Sequence, residues 1–297
     1  MGTDIARIPL PARVPPRGRI GRTIALTATA LAVATGVLAT GFDASSATAA
    51  FLSQFRVQRV APIAIDHASV TSAMESMGRL GTVTAADRQA TKPVELPLAE
   101  ASARAGLAPA NPPTSAIPAG LARPTTAMVS SGATSRFRFE KARADQYLRE
   151  IGRTDFAVAD RFDGATLVVT TAPILAQRWQ GAKPEQSLMI VQSRGLDATV
   201  EGRVTFDEFR DLLLSVPGMP ADVVRQLRAL RDWRTTLPVP IPPEMVSREV
   251  AIGATTGIVV DGGKVGAAVI WPRDGEIRGV MGSFPSAEIV QIARSIP

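Results

Sequence analysis

The sequence predicts an α+β protein: an N-terminal transmembrane helix, a linker, and then an antiparallel sheet with packed helices. Three observations predict it. Residues Thr23 to Phe42 run for twenty positions without a charged side chain. Pro, Ala and Thr crowd the stretch that ends near residue 132. From Ala133 onward, short apolar runs bounded by turn formers alternate with helices inserted in groups, the pattern of an antiparallel α+β domain. The expected division is a cytoplasmic tail at 1–22, a transmembrane signal anchor at 23–42, juxtamembrane helices with a Pro/Ala-rich linker at 43–132, and an extracytoplasmic α+β domain at 133–297.

A helix over 23–42 rises about 1.5 Å per residue and reaches about 30 Å, the thickness of a bilayer's hydrocarbon core. Arg7, Arg13, Arg17, Arg19 and Arg22 precede it and Asp43 follows it. The positive-inside rule therefore keeps the N-terminus in the cytoplasm and carries the rest of the chain across. Ala47-x-Ala49 in "SATAA" has the small residues that signal peptidase accepts, so cleavage remains the alternative to a retained anchor. Retention is favoured by the length of the run and by its apolar continuation through Phe51, Leu52 and Phe55. Ala28, Ala32, Gly36 and Thr40 form a small-residue row of the kind that packs membrane helices together, although so Ala-rich a segment produces such rows by chance.

Residues 51–80 read as two helical pieces. The first, "FLSQFRVQRV", ends before Pro62, because the proline ring disfavours helix in the residue before it. Asp66 is a good N-cap for the second, which places Val70, Met74 and Met77 on one face. Within the following Pro-rich stretch "PLAEASARAGL" predicts a short helix with Leu98, Ala101 and Ala105 on one side and Gly106 as its stop. Residues 107–132 carry five prolines and little apolar periodicity. They are expected to form a loose connector.

In the C-terminal part, "TSRFRFE", "ATLVVTTA", "ILAQRWQ" and "SLMIVQS" read as strands. "KARADQYLREIG" reads as a helix with Ala144, Tyr147, Leu148 and Ile151 inward. Thr205 and Glu208 form a capping box, and Pro220 suits the start of a second helix. After "RDWRTTLPVPIPP" strands resume at "SREVAI" and "TGIVVDGGKVGAAVIWPRDGEIRGVMGS", with turns at Asp261–Gly263 and Asp274–Gly275. A last helix over Ser286–Ser295 points Ile289, Ile292 and Ala293 inward.

The net charge is +6 and the tail before the apolar run holds +4 of it. The basic excess is thus terminal, no basic stripe follows, and nucleic acid is not an expected partner. With no cysteine there is neither a disulfide framework nor a thiolate metal site. The single histidine, His67, cannot build a metal site alone and reads as a solvated helix residue. Asp207, Glu208 and Asp211 read as a solvated face beside Arg210, and "DGGKVG" lacks phosphate-loop spacing. Trp179, Trp233 and Trp271 read as core residues in strands. No catalytic, cofactor-binding or metal residue is singled out, no cofactor is expected, and the ligand-binding residues are left unassigned.

The segment "GAAVIWPRDGEIRGVMGSFPSAEIVQIARSIP" has a Trp-bearing strand, an Asp-Gly turn, a returning strand, a glycine and a helix. It resembles the C-terminal part of bacterial membrane-anchored extracytoplasmic domains of unknown function related to anti-sigma-factor C-terminal domains and to sensors of the LolA and RseB type. The resemblance implies a sheet-and-helix sensor fold and no particular catalytic residues. The cytoplasmic part, some 22 residues without cysteine, lacks the helical sigma-binding domain of that family. The expectation is a non-enzymatic, single-pass membrane protein of the cell envelope, acting in envelope signalling or sigma-factor regulation and meeting a protein partner or lipid-like ligand outside the cytoplasm. Two alternatives stay open: a surface-anchored hydrolase with paired carboxylates, and a secreted lipid carrier released by signal cleavage.

Overall fold

Three strands of this protein begin in one sheet and continue in another. The computed structural model describes residues 57–84 and 92–297, apart from 184–185, 219, 231 and 234. The larger sheet has eight strands in the spatial order β11 (Val246–Ile252), β12 (Thr255–Asp261), β13 (Ala267–Arg273), β14 (Glu276–Gly282), β8 (Ser187–Ser193), β7 (Ile174–Gln180), β4 (Thr126–Ser130) and β3 (Val94–Pro97). The smaller has four: β2 (Gly81–Thr84), β5 (Ala133–Phe139), β6 (Thr166–Thr171) and β9 (Leu196–Glu201). A two-stranded ribbon pairs β1 (Arg59–Ala64) with β10 (Thr236–Ile241) in parallel, whereas the pairs within both larger sheets are antiparallel. The α+β expectation holds at this level.

β4, β7 and β8 are neighbours in the large sheet, and β5, β6 and β9 are neighbours in the small one. Only residues 131–132, 172–173 and 194–195 separate β4 from β5, β6 from β7 and β8 from β9. The two sheets are therefore arms of one sheet folded at a common corner, the arrangement by which strands switch between packed sheets. The corner is tightly built. Ala172 N–H donates to Gly195 O at 2.9 Å. A Cβ on Gly132 would lie 2.6 Å from the carbonyl oxygen of Thr171, so only glycine lets the first link pass the second.

Among the described residues six α-helices cover these sheets: α1 (His67–Leu80), α2 (Leu98–Ala105), α3 (Lys141–Glu150), α4 (Phe206–Ser215), α5 (Ala221–Ala229) and α6 (Ser286–Ser295). α6 lies on β13 and β14, burying Ile289, Ile292 and Ala293 against Trp179, Val269 and Trp271. On the opposite face Leu237, Val239 and Ile241 of β10 meet Ile258, Ile270 and Ile277. The small sheet has its own core, where Phe137 and Phe139 meet Phe209, Tyr147 and Leu148 from α4 and α3. The Phe139–Phe209 rings pack edge-on at 6.2 Å, a favourable aromatic geometry.

Many boundary signals act as expected. Asp66 accepts from Ser69 N–H at 2.6 Å and Thr205 forms the full capping box with Glu208. α2 stops at Gly106, β13 and β14 turn over Asp274–Gly275, and α6 spans the expected residues. Ile151, expected inward, is instead exposed at the end of α3.

Three expectations are corrected. The first helical piece of 51–80 does not extend through Arg59 and Val60, which begin β1, because Ile63 gains burial beside β10 that a helix stopped by Pro62 could not give it. "TLPVPI" was expected to lie between structured parts and is β10 itself: Leu237, Val239 and Ile241 are buried while the prolines take the alternate positions. The expected loose connector at 107–132 is packed. Leu107 and Ala110 are buried, Ile117 and Leu121 lean on the large core, and β4 is an interior strand between β3 and β7. Its backbone is held by a buried side chain on β8. Gln192 accepts from Ala110 N–H at 2.7 Å and donates to Ala108 O at 2.9 Å. The transmembrane expectation at 23–42 lies outside the described residues, and no described helix is long and apolar enough to cross a membrane.

Gln192→Leu leaves those two backbone groups without partners at a cost of about 1–3 kcal/mol each if they stay buried. The expected result is faster limited proteolysis within 107–121, with the region around α6 still protected. Unchanged cleavage of 107–121 would show that the prolines alone hold the segment.

Candidate functional site

Helix ends and one turn surround a cavity beside the small sheet. α1 contributes Ser76, Met77 and Leu80, and Leu167 of β6 forms part of the wall. On α4, Phe206, Phe209, Arg210 and Leu213 recur at intervals of three and four, which aligns them on one helical face. Leu227 of α5 and Trp233, in the turn before β10, complete the far side. The cavity measures about 300 Å³, at the lower end of small-molecule pockets.

Polar contacts at the helix ends keep this space framed. The link from α4 to α5 is pinned where Tyr147 Oη donates to Pro217 O at 3.2 Å and Ser76 Oγ donates to Gly218 O at 3.3 Å. A Cβ at Gly218, whose φ is +115°, would lie 2.2 Å from the Tyr147 hydroxyl, so a larger residue would push the link away. Arg228 Nη2 donates to Leu214 O at 2.9 Å and ties α5 back onto α4.

Of the polar groups in the wall, those of Ser76 and Arg210 are engaged, and Trp233 adds an indole N–H. Ser76 makes the bond just described. Arg210 sits 5.7 Å above the Trp233 ring and reaches Asp207 at 2.6 Å and Asp211 at 2.8 Å. The rest of the lining is hydrocarbon and aromatic. Such a lining favours dispersion and release of water over hydrogen bonding.

A second, polar depression of about 230 Å³ lies beside α3 and includes Lys141, Asp145, Arg149 and Arg153. Most of its charge is internally matched: Lys141 Nζ lies 2.6 Å from Asp145 and Arg153 Nε 2.8 Å from Asp155. The Asp145 hydrogen bond holds the Lys141 ammonium above its ordinary pKa.

The expected positions sort as follows. Asp207 and Asp211 bracket Arg210, and Glu208 is occupied by the cap, whose Thr205 backbone bond holds its carboxyl below the usual range. His67 opens α1. "DGGKVG" is a turn in which Asp261 Oδ1 accepts from Gly263 N–H at 2.8 Å. Trp179 and Trp271 are buried in strands as expected, but Trp233 lies in a turn, half-buried, on the cavity wall. No group of three or more His, Cys, Asp or Glu side chains that could hold a metal occurs among the described residues. The cavity residues carried no sequence signal of their own, since Met77, Leu213 and Leu227 read as ordinary core.

Comparison of the chain with protein-family models, curated proteins and solved structures finds no match.

Away from both pockets, Asp197 of β9 is buried with Oδ1 lacking a hydrogen-bond partner. Burial pushes its carboxyl above the ordinary pKa, opposed by the Ala198 N–H. The folded state thus holds this proton more tightly than the unfolded chain. The cost of ionising it is absent below the unfolded pKa, near 4, and is complete once pH has risen above the folded value. Asp197→Asn should melt at a higher temperature than wild type at pH 7, with the gap closing as pH falls through the carboxylate range. A variant less stable at pH 7, or a gap that ignores pH, would contradict this account.

Proposed function

We propose that this protein is a membrane-anchored extracytoplasmic binding or sensing protein whose apolar cavity takes a hydrocarbon chain, and that its setting is envelope signalling or sigma-factor regulation. The observation that carries the reading is the cavity wall. It lies between a folded sheet and its helices, and its lining is almost wholly apolar, with Ser76 bonded to Gly218 O and the Arg210 guanidinium held by Asp207 and Asp211. A ligand with buried polar atoms would lose their water without compensation, so the inserted part must be apolar and its polar end must stay outside. The likeness of the C-terminal segment to extracytoplasmic sensor domains agrees with this reading, as does the charge-free run at 23–42.

The hydrolase alternative needs two carboxylates facing one pocket at about 5–10 Å. The apolar wall carries no carboxylate and the polar depression carries only Asp145. No observation favours it.

Titration calorimetry with n-dodecanol tests the cavity. Leu213→Trp fills it from the α4 side and should weaken binding roughly tenfold or more, about 1.4 kcal/mol, while the melting temperature moves by no more than about 4 °C. Equal affinity in variant and wild type would place dodecanol elsewhere.

Topology has a separate test. Mass spectrometry of protein from carbonate-washed membranes should recover Arg22 joined to the 23–42 run. A mature N-terminus at Ala50 would instead make the protein a secreted carrier.

A further inference from the structure

We propose that the outer end of the cavity is a head-group site, in which Arg210 holds the carbonyl or carboxylate that ends an acyl chain. The proposal rests on the reading of the cavity as a hydrocarbon site and adds the chemistry of the ligand's polar end: a hydrogen-bond acceptor, not an amine.

The hydrogen-bonding inventory of the wall carries the inference. Its polar side-chain groups belong to Ser76, Arg210 and Trp233. A guanidinium and an indole N–H can only donate. Against them stands the oxygen of Ser76, a buried residue whose hydroxyl already donates to Gly218 O at 3.3 Å. Backbone carbonyls of the lining are also engaged by side-chain donors, Leu214 O by Arg228 and Pro217 O by Tyr147. The wall thus offers a ligand chiefly donors, and the complement of a donor is an acceptor.

Arg210 is the donor placed to meet it. Nε and Nη2 donate to Asp211 Oδ1 at 3.0 and 2.8 Å, and Nη1 donates to Asp207 Oδ1 at 2.6 Å. A guanidinium has five N–H groups, so one on each terminal nitrogen is left without a partner among the described residues. The two aspartates and the Trp233 ring, 5.7 Å from the guanidinium carbon, hold the group in place before any ligand arrives. Its side chain is 22% exposed, whereas those of Asp207 and Asp211 are 57% and 68% exposed. The guanidinium therefore marks the level at which the apolar wall gives way to solvent. That is where the polar end of an inserted chain comes to rest.

The strengths of the competing contacts favour a carbonyl over an ammonium. A hydrogen bond from a part-buried guanidinium is charge-assisted and stronger than a neutral one. Asp207 and Asp211 offer a cationic head group much less, since exposed carboxylates are well screened and these two already serve Arg210. Because they also balance the guanidinium charge, a neutral ester carbonyl suits the two remaining N–H groups as well as a free carboxylate does. The shared chemistry is the acyl end.

Titration calorimetry with probes of one chain length tests this: n-dodecanol, dodecanoate, methyl dodecanoate and n-dodecylammonium, each kept monomeric at neutral pH. At least one of the two acyl probes should bind the full chain roughly tenfold more tightly than dodecanol, and dodecylammonium should not. Arg210→Met, which keeps an unbranched side chain, should abolish that advantage and leave the dodecanol affinity unchanged. Asp207→Asn combined with Asp211→Asn distinguishes the sources of the acyl end: selective tightening of dodecanoate assigns a free acid, and a preference for methyl dodecanoate that ignores the double substitution assigns an ester. Dodecylammonium binding as tightly as the acyl probes, or an acyl preference that survives Arg210→Met, would overturn the head-group site. Dodecanol binding with no acyl preference removes the head-group site and leaves the hydrocarbon reading intact, whereas a chain that binds none of the four probes removes both.

Discussion

The corner through which three strands pass from one sheet to the other is the constraint on which the remaining architecture depends. Hydrogen bonding must continue across neighbouring strands on both sides of the fold, so the three links have to bend together. The links at 131–132, 172–173 and 194–195 do so within van der Waals contact of one another, with Gly132 against the Thr171 carbonyl and the Ala172 amide on Gly195. Pro173, lacking an amide hydrogen, ends the pairing of β6 without leaving a donor unsatisfied. Once the sheet is folded there, its two arms no longer share a single layer of helices. One core forms around Trp179, Trp271 and α6, and another around Phe137, Phe139 and Phe209.

That division bears on why a cavity persists in a chain that otherwise packs well. Protein interiors reach the density of organic crystals, and apolar space left unfilled forfeits dispersion contacts. Beside the small arm, Leu212 commits one side of α4 to the sheet core and Phe209 borders both core and cavity, while Phe206 and Leu213 line the space toward α1 and α5. The approach of those helices is limited at their ends by Tyr147 on Pro217, Ser76 on Gly218 and Arg228 on Leu214. Fixed-length hydrogen bonds hold the frame at a separation that its side chains do not fill. The apolar surface left facing that space gains about 25 cal/mol for every Å² that a hydrocarbon covers.

Much of the fold was legible where a local rule and the tertiary structure agree. Asp66, Thr205 with Glu208, and Asp274–Gly275 satisfy backbone groups or turn geometry within a few residues, so the signal lies next to its effect. β10 was illegible because its prolines argue against a strand, yet Pro238 and Pro240 occupy positions that leave the buried alternation of Leu237, Val239 and Ile241 intact. Residues 107–121 were illegible for a different reason. Two of their buried backbone groups, Ala108 C=O and Ala110 N–H, are satisfied by Gln192, more than eighty residues away, and no window around the segment contains that partner. The cavity shares this difficulty. Apolar side chains that line a space and apolar side chains that fill one follow the same helical period, and Trp233 was assigned to a strand that stops short of it.

β1 joins these features mechanically. Its backbone partner is β10, and its neighbours on the sheet are β12 and β13. At its start it holds the turn of Trp233 through Thr235, and at its end it is gripped by Gln226 of α5 beside Leu227. Only Ile65 and Asp66 then separate it from α1. A displacement applied at Val57 therefore reaches three walls of the cavity through hydrogen bonds and a two-residue link, without crossing either sheet. Conversely, a ligand that spreads α1 from α5 loads the Gln226 bonds to Ala64 and so acts on β1. Val57 and the walls of the apolar cavity are thus linked by short, directional contacts, the kind that shifts between discrete arrangements more readily than a close-packed core deforms.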